Sequence, residues 1–337
     1  MKTTPNRSAQ LRKWAEKVWY KDPFIGVWLF PLGFIFSDIV RFRKFLYQVG
    51  VLKIHRLPVP VVIVGNITVG GTGKTPLIIW MATLLKEAGY QPGIISRGYG
   101  GHADIWPQSV NANSQAEIVG DEAVLLAKQT GCPVVVGPLR IDDAKQLLRE
   151  ANCTIILSDD GLQHYALHRD IEIAVIDGER RFGNGYCLPA GPLREPISRL
   201  QSVDLIIVNG EKYEDNEYSM RLVGDTAINM VTSEQKPLAE FSDVECYAIA
   251  GIGNPERFFK LLAAAGLSCK TRSFPDHYPF EAGDILFSDN KPVLMTEKDA
   301  VKCTSFASEQ HWYVPVTAVP EPQFAEQLLD LIRKKVR

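Results

Sequence analysis

The chain has 337 residues, room for one large or two ordinary domains, and its 46% hydrophobic and 23% charged residues are those of a folded globular protein. A formal net charge of −2 excludes nucleic-acid binding driven by bulk positive charge. Six cysteines without a C-x-x-C pair argue against a disulfide framework or a structural zinc site, so reduced thiols in a cytoplasmic compartment are expected.

The charge is spread unevenly. Ahead of Pro58 stand Lys2, Arg7, Arg12, Lys13, Lys17, Lys21, Arg41, Arg43, Lys44, Lys53 and Arg56, against Glu16, Asp22 and Asp38. Within this basic region the stretch from Pro23 to Ser37 is uncharged, shorter than the roughly 20 apolar residues a spanning helix needs. Pro31 and Gly33 are expected to bend it. Trp14, Trp19, Tyr20 and Trp28 favour a membrane interface, and cations flank both sides, which gives no orientation. The expectation is an anchor lying in or dipping into one leaflet, with a single span as the alternative. The competing explanation is an amphipathic helix buried in a soluble core. The apolar stretch starts too late, and lacks the small-residue cleavage site, for a signal peptide.

Val61-Val62-Ile63-Val64 is a continuous β-branched run, as in a buried parallel strand. It leads into Gly65-Asn66-Ile67-Thr68-Val69-Gly70-Gly71-Thr72-Gly73-Lys74-Thr75-Pro76 and a helical run toward Gly89. Strand, glycine loop, Lys-Thr and helix are the order of a phosphate-binding loop for ATP·Mg²⁺. Glycines let the backbone of Thr68, Val69, Gly70, Gly71, Thr72 and Gly73 wrap a phosphate, and the helix adds its positive end. Lys74 reaches the β- and γ-phosphates, and the Thr75 hydroxyl ligates Mg²⁺. The common pattern has glycine where Thr68 stands, so Gly70-Gly71 supply the flexibility. The bland alternative is an ordinary glycine-rich turn.

Gly93 to Ser96 reads as a strand. Gly120-Asp121-Glu122 precedes a helix from Ala123 to Gln129, where Asp121 serves equally as N-cap or catalytic group. Val134 to Val136 is a strand and Ile141 to Glu150 a helix. Thr154 to Ser158 is a strand ending in Asp159-Asp160-Gly161, where carboxylates face the ligand crevice of a parallel sheet and serve Mg²⁺, or form a solvated turn. Gln163 and His164 follow on the same loop as weaker candidates. Ile171 to Ile176 and Leu205 to Val208 are further strands, and Asn209 to about Ser233 is polar and aperiodic. Cys246 to Ala250, the helix from Glu256 to Ala265, Pro292 to Thr296 and the helix from Phe324 to Lys335 complete the chain. Gly251-Ile252-Gly253 is half of a dinucleotide fingerprint. His277, between prolines and aromatics, reads as a structural loop residue from its neighbours alone.

This pattern predicts an α/β fold: a P-loop NTPase-like, doubly wound, mainly parallel sheet, a second smaller α/β domain and an N-terminal membrane-anchoring helix. The expected division is 1–45 for the membrane-associated segment, 46–225 for the P-loop kinase core and 226–337 for the C-terminal domain.

Taken together the motifs resemble one family, the tetraacyldisaccharide 4′-kinases, lipid A 4′-kinases of Gram-negative bacteria. The resemblance rests on the loop from Gly65 to Pro76, Ser96-Arg97-Gly98-Tyr99-Gly100, Gly120-Asp121-Glu122 and Asp159-Asp160-Gly161-Leu162-Gln163-His164. Pro189-Ala190-Gly191-Pro192-Leu193-Arg194-Glu195, Gly251 to Pro255, Asp276-His277 and Thr296-Glu297-Lys298-Asp299-Ala300-Val301-Lys302 follow in order. Thr68 is part of that pattern. The resemblance implies an ATP- and Mg²⁺-dependent kinase acting on the 4′-hydroxyl of an acylated glucosamine disaccharide 1-phosphate lipid, on the cytoplasmic side of the bacterial inner membrane. It implies that Asp121 and His277 act as a dyad on the acceptor hydroxyl beside Lys74. Arg97, Arg194 and Glu195, with Gln163 and His164, are candidates for acceptor contacts. The rivals are a membrane-associated NTPase switch without a lipid acceptor, a soluble metabolite kinase and a vestigial P-loop protein.

Overall fold

The structure, a computed structural model, describes residues 7–335. Lys2 lies outside the described residues, as do the side chains of Arg7, Arg12 and Lys13. In chain order the strands are β1 (Val61–Gly65), β2 (Pro92–Ser96), β3 (Gln108–Val110), β4 (Val134–Val136), β5 (Ile155–Asp159), β6 (Ile171–Asp177), β7 (Leu205–Asn209) and β8 (Glu217–Val223). They continue as β9 (Thr226–Asn229), β10 (Gln235–Pro237), β11 (Cys246–Ala250), β12 (Cys269–Ser273), β13 (Val293–Thr296), β14 (His311–Val314) and β15 (Thr317–Pro320). The helices are α1 (Arg7–Tyr20), α2 (Phe30–Gln48), α3 (Lys74–Glu87), α4 (Ala116–Val119), α5 (Asp121–Thr130), α6 (Arg140–Glu150), α7 (Pro255–Ala264), α8 (Ala282–Ile285), α9 (Glu297–Cys303) and α10 (Pro322–Lys335). The chain divides into two compact units, one of residues 1–72, 160–220 and 320–337, the other of 73–159 and 221–319.

In the first unit β1, β6, β7 and β8 run parallel, in the order β8-β7-β6-β1. Every residue of β1, β6 and β7 is buried, which is why these strands read as unbroken apolar runs rather than alternating ones. Residues 209–233, expected to be polar and aperiodic at a domain boundary, instead contain β8 and β9. The signal was hidden because an inward position of β8 is filled by Glu217, held by Arg181 through bonds of 2.7 and 3.0 Å. Helix α10 seats Phe324, Leu328 and Ile332 in the core at i, i+4 and i+8.

The N-terminal region corrects the expected bend and narrows the alternatives. A 3-10 helix, Pro23–Leu29, ends just before Pro31. Pro31 therefore stands in the first turn of α2, where no N–H is needed, and the helix continues unbroken through Gly33 to Gln48. Gly33 and Ser37 are buried. A Cβ on Gly33 would lie 2.9 Å from the Cβ of Ala190 and 3.0 Å from the carbonyl of Cys187, so the helix docks by backbone contact. Phe30 stacks on Tyr186 with ring centroids 4.2 Å apart, and Lys44 Nζ donates to Ser202 Oγ at 3.0 Å.

Large apolar side chains point the other way. Leu32, Ile35, Ile39, Phe42 and Phe45 are each more than half exposed, at spacings that follow one helical stripe. This inverts the arrangement of a helix buried in a soluble core. Among the described residues no helix is long and apolar enough to cross a membrane; in α2 the charges of Asp38, Arg41, Arg43 and Lys44 interrupt the run.

In the second unit β5, β2 and β4 run parallel in that order, with β3 antiparallel to β4. A separate six-stranded sheet has the order β10-β9-β14-β13-β11-β12. Its strands β12, β11, β13 and β14 are parallel, and β9 and β10 add antiparallel pairings. Successive residues of its central strands alternate between faces: Ala248 and Leu294 join Leu262 and Trp312 on one side, and Ile249, Val293 and Met295 join Phe280 on the other.

Candidate active site

The glycine loop leaves β1 at Gly65 and is shaped largely by backbone contacts. Asn66 Nδ2 donates to the carbonyl of Gly70 at 3.3 Å, and Asn209 Nδ2 to that of Thr72 at 3.1 Å. The Pro189–Glu195 motif clamps it: Val69 N–H donates to Pro192 at 2.8 Å and Arg194 N–H to Ile67 at 2.7 Å, with Thr68 and Leu193 bridged between them. Gly70 and Gly73 adopt φ of +111° and +96°, conformations an L side chain rarely takes. Gly73 is the N-cap of α3, and no side chain caps that helix. Lys74 and Thr75 are its first two residues and are half-buried. Asn66 Oδ1 and Thr72 Oγ1 are buried with no hydrogen-bond partner among the described residues. An uncapped 14-residue helix opening from a glycine wrap, with unused polar atoms at its approach, fits a phosphate chain.

Asp159 ends β5 and is 1% exposed; Ser96 Oγ donates to its Oδ2 at 3.1 Å. The buried Arg140, which sequence reading passed over, donates to the Asp159 carbonyl at 3.1 Å and to that of Gly137 at 2.9 Å. Asp160 follows at φ +49°, and Arg194 Nη1 donates to its Oδ2 at 2.7 Å. Among the described residues no three His, Cys, Asp or Glu cluster as a metal cage. Mg²⁺ needs none, because it is held by one or two carboxylates together with substrate phosphates. Two aspartates and a threonine hydroxyl are donors of the right chemistry.

The candidate acceptor residues separate. Gln163 Nε2 donates to the Asn66 carbonyl at 3.1 Å and to Glu195 Oε1 at 2.7 Å. Glu195 is 1% exposed, accepts from the Tyr165 hydroxyl and lies 3.3 Å from Arg199 Nε. Its oxygens are thus engaged in bracing the loop rather than presented to an acceptor. The His164 carbonyl accepts from Arg169. Arg97 is exposed after β2.

In the second unit four motifs meet. Asp121 is the first residue of α5, and its N-cap is Gly120 at φ +92°, so the N-cap reading of Asp121 falls. A Cβ on Gly120 would lie 2.7 Å from the carbonyl of Tyr99, which brings the Ser96–Gly100 motif against it. His277 Nδ1 lies 3.0 and 3.2 Å from the two oxygens of Asp121, and the Tyr99 ring 4.6 Å from the imidazole. His277 itself sits at φ +57°, uncommon for a residue with a side chain. Lys298 Nζ contacts Glu122 at 2.8 Å, His277 Nε2 at 3.2 Å and Asp276 at 3.3 Å. Lys302 Nζ is 2.8 Å from Asp299 and 3.7 Å from Asp121. Burial alone would raise the Asp121 carboxyl, but Lys298, the bond and charge of His277, and Lys302 outweigh it and hold the group down at about 2. The Gly251 N–H is taken by Asp299 at 2.8 Å, so the half fingerprint there serves packing, not a dinucleotide. The i, i+4 spacing of Lys298 and Lys302 was the available signal for two cations on one helical face.

The family model LpxK, described as tetraacyldisaccharide-1-P 4′-kinase, matches residues 25–333. The tetraacyldisaccharide 4′-kinase of Nitrosococcus oceani is 50% identical over 321 residues, covering 95% of each chain. That of Actinobacillus pleuropneumoniae serotype 5b is 48% identical over 322 residues, covering 95% of this chain and 99% of the relative. The crystal structure of the "apo" form of LpxK from Aquifex aeolicus in complex with ATP superposes with a TM-score of 0.79 at 30% identity, covering 93% of this chain and all 100% of that one.

Proposed function

The chain belongs to the tetraacyldisaccharide-1-P 4′-kinase family, and from that membership we propose that it transfers the γ-phosphate of ATP to the 4′-hydroxyl of an acylated glucosamine disaccharide 1-phosphate, forming lipid IVA in lipid A biosynthesis. The observation that carries the nucleotide half is the loop, with glycines at φ +111° and +96° opening an uncapped helix. The family supplies the acceptor.

In this reading the loop from Thr68 to Gly73 cradles the phosphates through its N–H groups, and Lys74 neutralises the β- and γ-oxygens. Thr75, with Asp159 or Asp160, would hold Mg²⁺, which would supply neutralisation of phosphate charge. Asp121 and His277 orient the acceptor hydroxyl and take its proton, by the carboxylate directly or through the imidazole. Arg97, Gln163, His164 and Arg194 are the candidates for contacts to the sugar and its phosphate, forked guanidinium donors suiting the latter; Glu195 supports Gln163. Most of the rate comes from positioning and charge neutralisation, because the transition state is loose.

The outward stripe of α2 supports peripheral docking on the inner membrane from the cytoplasmic side, with its basic flank near anionic headgroups. The division into 1–45, 46–225 and 226–337 is read as a membrane-docking segment, a P-loop kinase core and a smaller C-terminal α/β domain that supplies His277, while the compact units interleave these ranges. The test is to incubate the protein with labelled ATP, Mg²⁺ and the tetraacyl disaccharide 1-phosphate. Label in the lipid is expected; hydrolysis of ATP with no label in the lipid, and no stimulation by it, overturns the reading.

A further inference from the structure

Where the last turns of α2 meet the segment before β6, the first unit holds a cavity of about 230 Å³ that the chemistry above leaves without a role. Three cations line it, Lys44, Arg169 and Arg199, against one carboxylate, Glu172. It lies at the other end of β1 from the glycine loop. The neighbouring Asp170 accepts the N–H of Val61, the first residue of that strand, at 2.8 Å, whereas the loop leaves Gly65, the last. The strand between these ends is roughly 16 Å long. We infer that this cavity binds the phosphodiester headgroup of an anionic phospholipid, with Lys44 as the residue that meets the phosphate. The inference rests on the peripheral docking of α2 and gives that docking a specific lipid site.

The two guanidiniums are fixed in place. Arg169 donates to the Leu162 carbonyl at 2.9 Å and to Glu172 at 2.8 Å, and Arg199 to Ser202 Oγ at 2.7 Å and to Glu172. Both pack against the Tyr165 ring, 4.9 and 5.8 Å from its centroid. Lys44 differs. An ammonium has three N–H donors, and its one hydrogen-bond partner among the described residues is the neutral Ser202 hydroxyl at 3.0 Å. Burial, and next Arg199, lower its affinity for the proton, and an anion bound there offsets both. Glu195 also faces Arg199, at 3.3 Å, so three cations stand against two carboxylates, an excess of one charge. His168 and Asp170 face each other at 3.4 Å to one side. An excess of one suits a phosphodiester, which carries a single negative charge, better than a dianionic phosphate. Ile54 lines the cavity and is exposed, as are Val49 and Val51 just beyond α2. Apolar side chains at the rim of a cationic recess give acyl chains a surface beside the bound headgroup.

Vesicle sedimentation of the full chain tests this. The protein should bind phosphatidylcholine vesicles doped with phosphatidylglycerol more tightly than phosphatidylcholine alone. Lys44→Gln should weaken binding to the doped vesicles about tenfold and leave binding to the neutral ones unchanged. Arg41→Gln removes an exposed cation of the same helix and should lose only the roughly two- to fivefold of a general surface charge. Equal losses in the two variants overturn the headgroup site and leave the docking standing; an unaltered protein that binds neither vesicle overturns the docking itself. Dihexanoyl phosphatidylglycerol below its micelle concentration should raise the melting temperature of the unaltered protein, and inorganic phosphate should not. The same rise with phosphate overturns the lipid source. A raised KM for the disaccharide lipid in Lys44→Gln, measured in neutral detergent, assigns the cavity to the acceptor and also overturns the proposal. If Lys44→Gln does not fold, Ser202→Leu, at an exposed position of the cavity wall, takes its place in each comparison.

Discussion

The glycine loop and the Asp121 cluster are built from opposite materials. The loop is held by backbone: carbonyls of Gly70 and Thr72 accept from asparagine amides, and Val69 and Arg194 exchange strand-like bonds with Pro192 and Ile67. The cluster is held by charge: Asp121, Glu122 and Asp276 surround Lys298, with Lys302 at the flank. A backbone cradle recognises a phosphate chain by shape and dipole, and tolerates changes of pH. A buried charge network is sensitive to every charge removed from it. Damage to the first should therefore act on nucleotide handling, and damage to the second on the proton and on acid stability.

The largest expected effect sharpens the first half. Lys74→Ala removes the charge that the proposed mechanism places on the β- and γ-phosphates, and turnover should fall by about 10³-fold or more while the melting curve is kept. Near-normal turnover in the purified variant would remove the loop from the mechanism. Next, Asp121→Asn keeps shape and deletes charge; kcat should drop about 10²-fold with the ATP KM unchanged. A rise in KM alone would break the division of roles.

The third is a pH effect confined to the cluster. The Asp121 carboxyl is held at about 2, below its ordinary value of 3.8, so the folded state gives up that proton more readily than the unfolded chain. Its contribution, about 2 kcal/mol, is present above roughly pH 4 and is lost as pH falls toward 2. The stability difference between the unaltered protein and Asp121→Asn should shrink over that window in denaturant titrations. A difference that stays constant there would show that the carboxylate is not held by its cations. The smallest effect concerns the outward stripe of α2, which works by apolar contact alone. Phe42→Ser should weaken binding to anionic vesicles by about 1.5 kcal/mol, roughly tenfold, without altering the fold, since the side chain is 61% exposed. Unchanged sedimentation with vesicles would detach that face from the membrane.

Legibility divided along the same line. The loop was readable because its parts are consecutive: β1, the glycines, Lys74, Thr75 and α3 lie within one short span. Asp121 was readable only as an even choice, and His277 looked like a loop residue, because the pair is separated by 156 positions. Family resemblance joined them; local physics did not. Glu195 was a candidate acceptor contact by its place beside Arg194 in the family motif, and its oxygens are engaged by Gln163, Tyr165 and Arg199, partners that lie apart in sequence. Pro31 was expected to bend a helix and instead begins one, since only the position of the preceding 3-10 turn decides which.

By itself the sequence determined the α/β alternation, the glycine loop and the apolar basic N-terminus, because each is written in neighbouring residues through hydrophobic period, glycine placement and charge. The tertiary structure alone decided that the apolar stripe of α2 faces outward while its small residues dock, that Gly120 caps the helix Asp121 begins, and that Lys298 meets His277. Those outcomes depend on burial and on contacts between distant segments, and no local pattern encodes which side of a helix will find a partner.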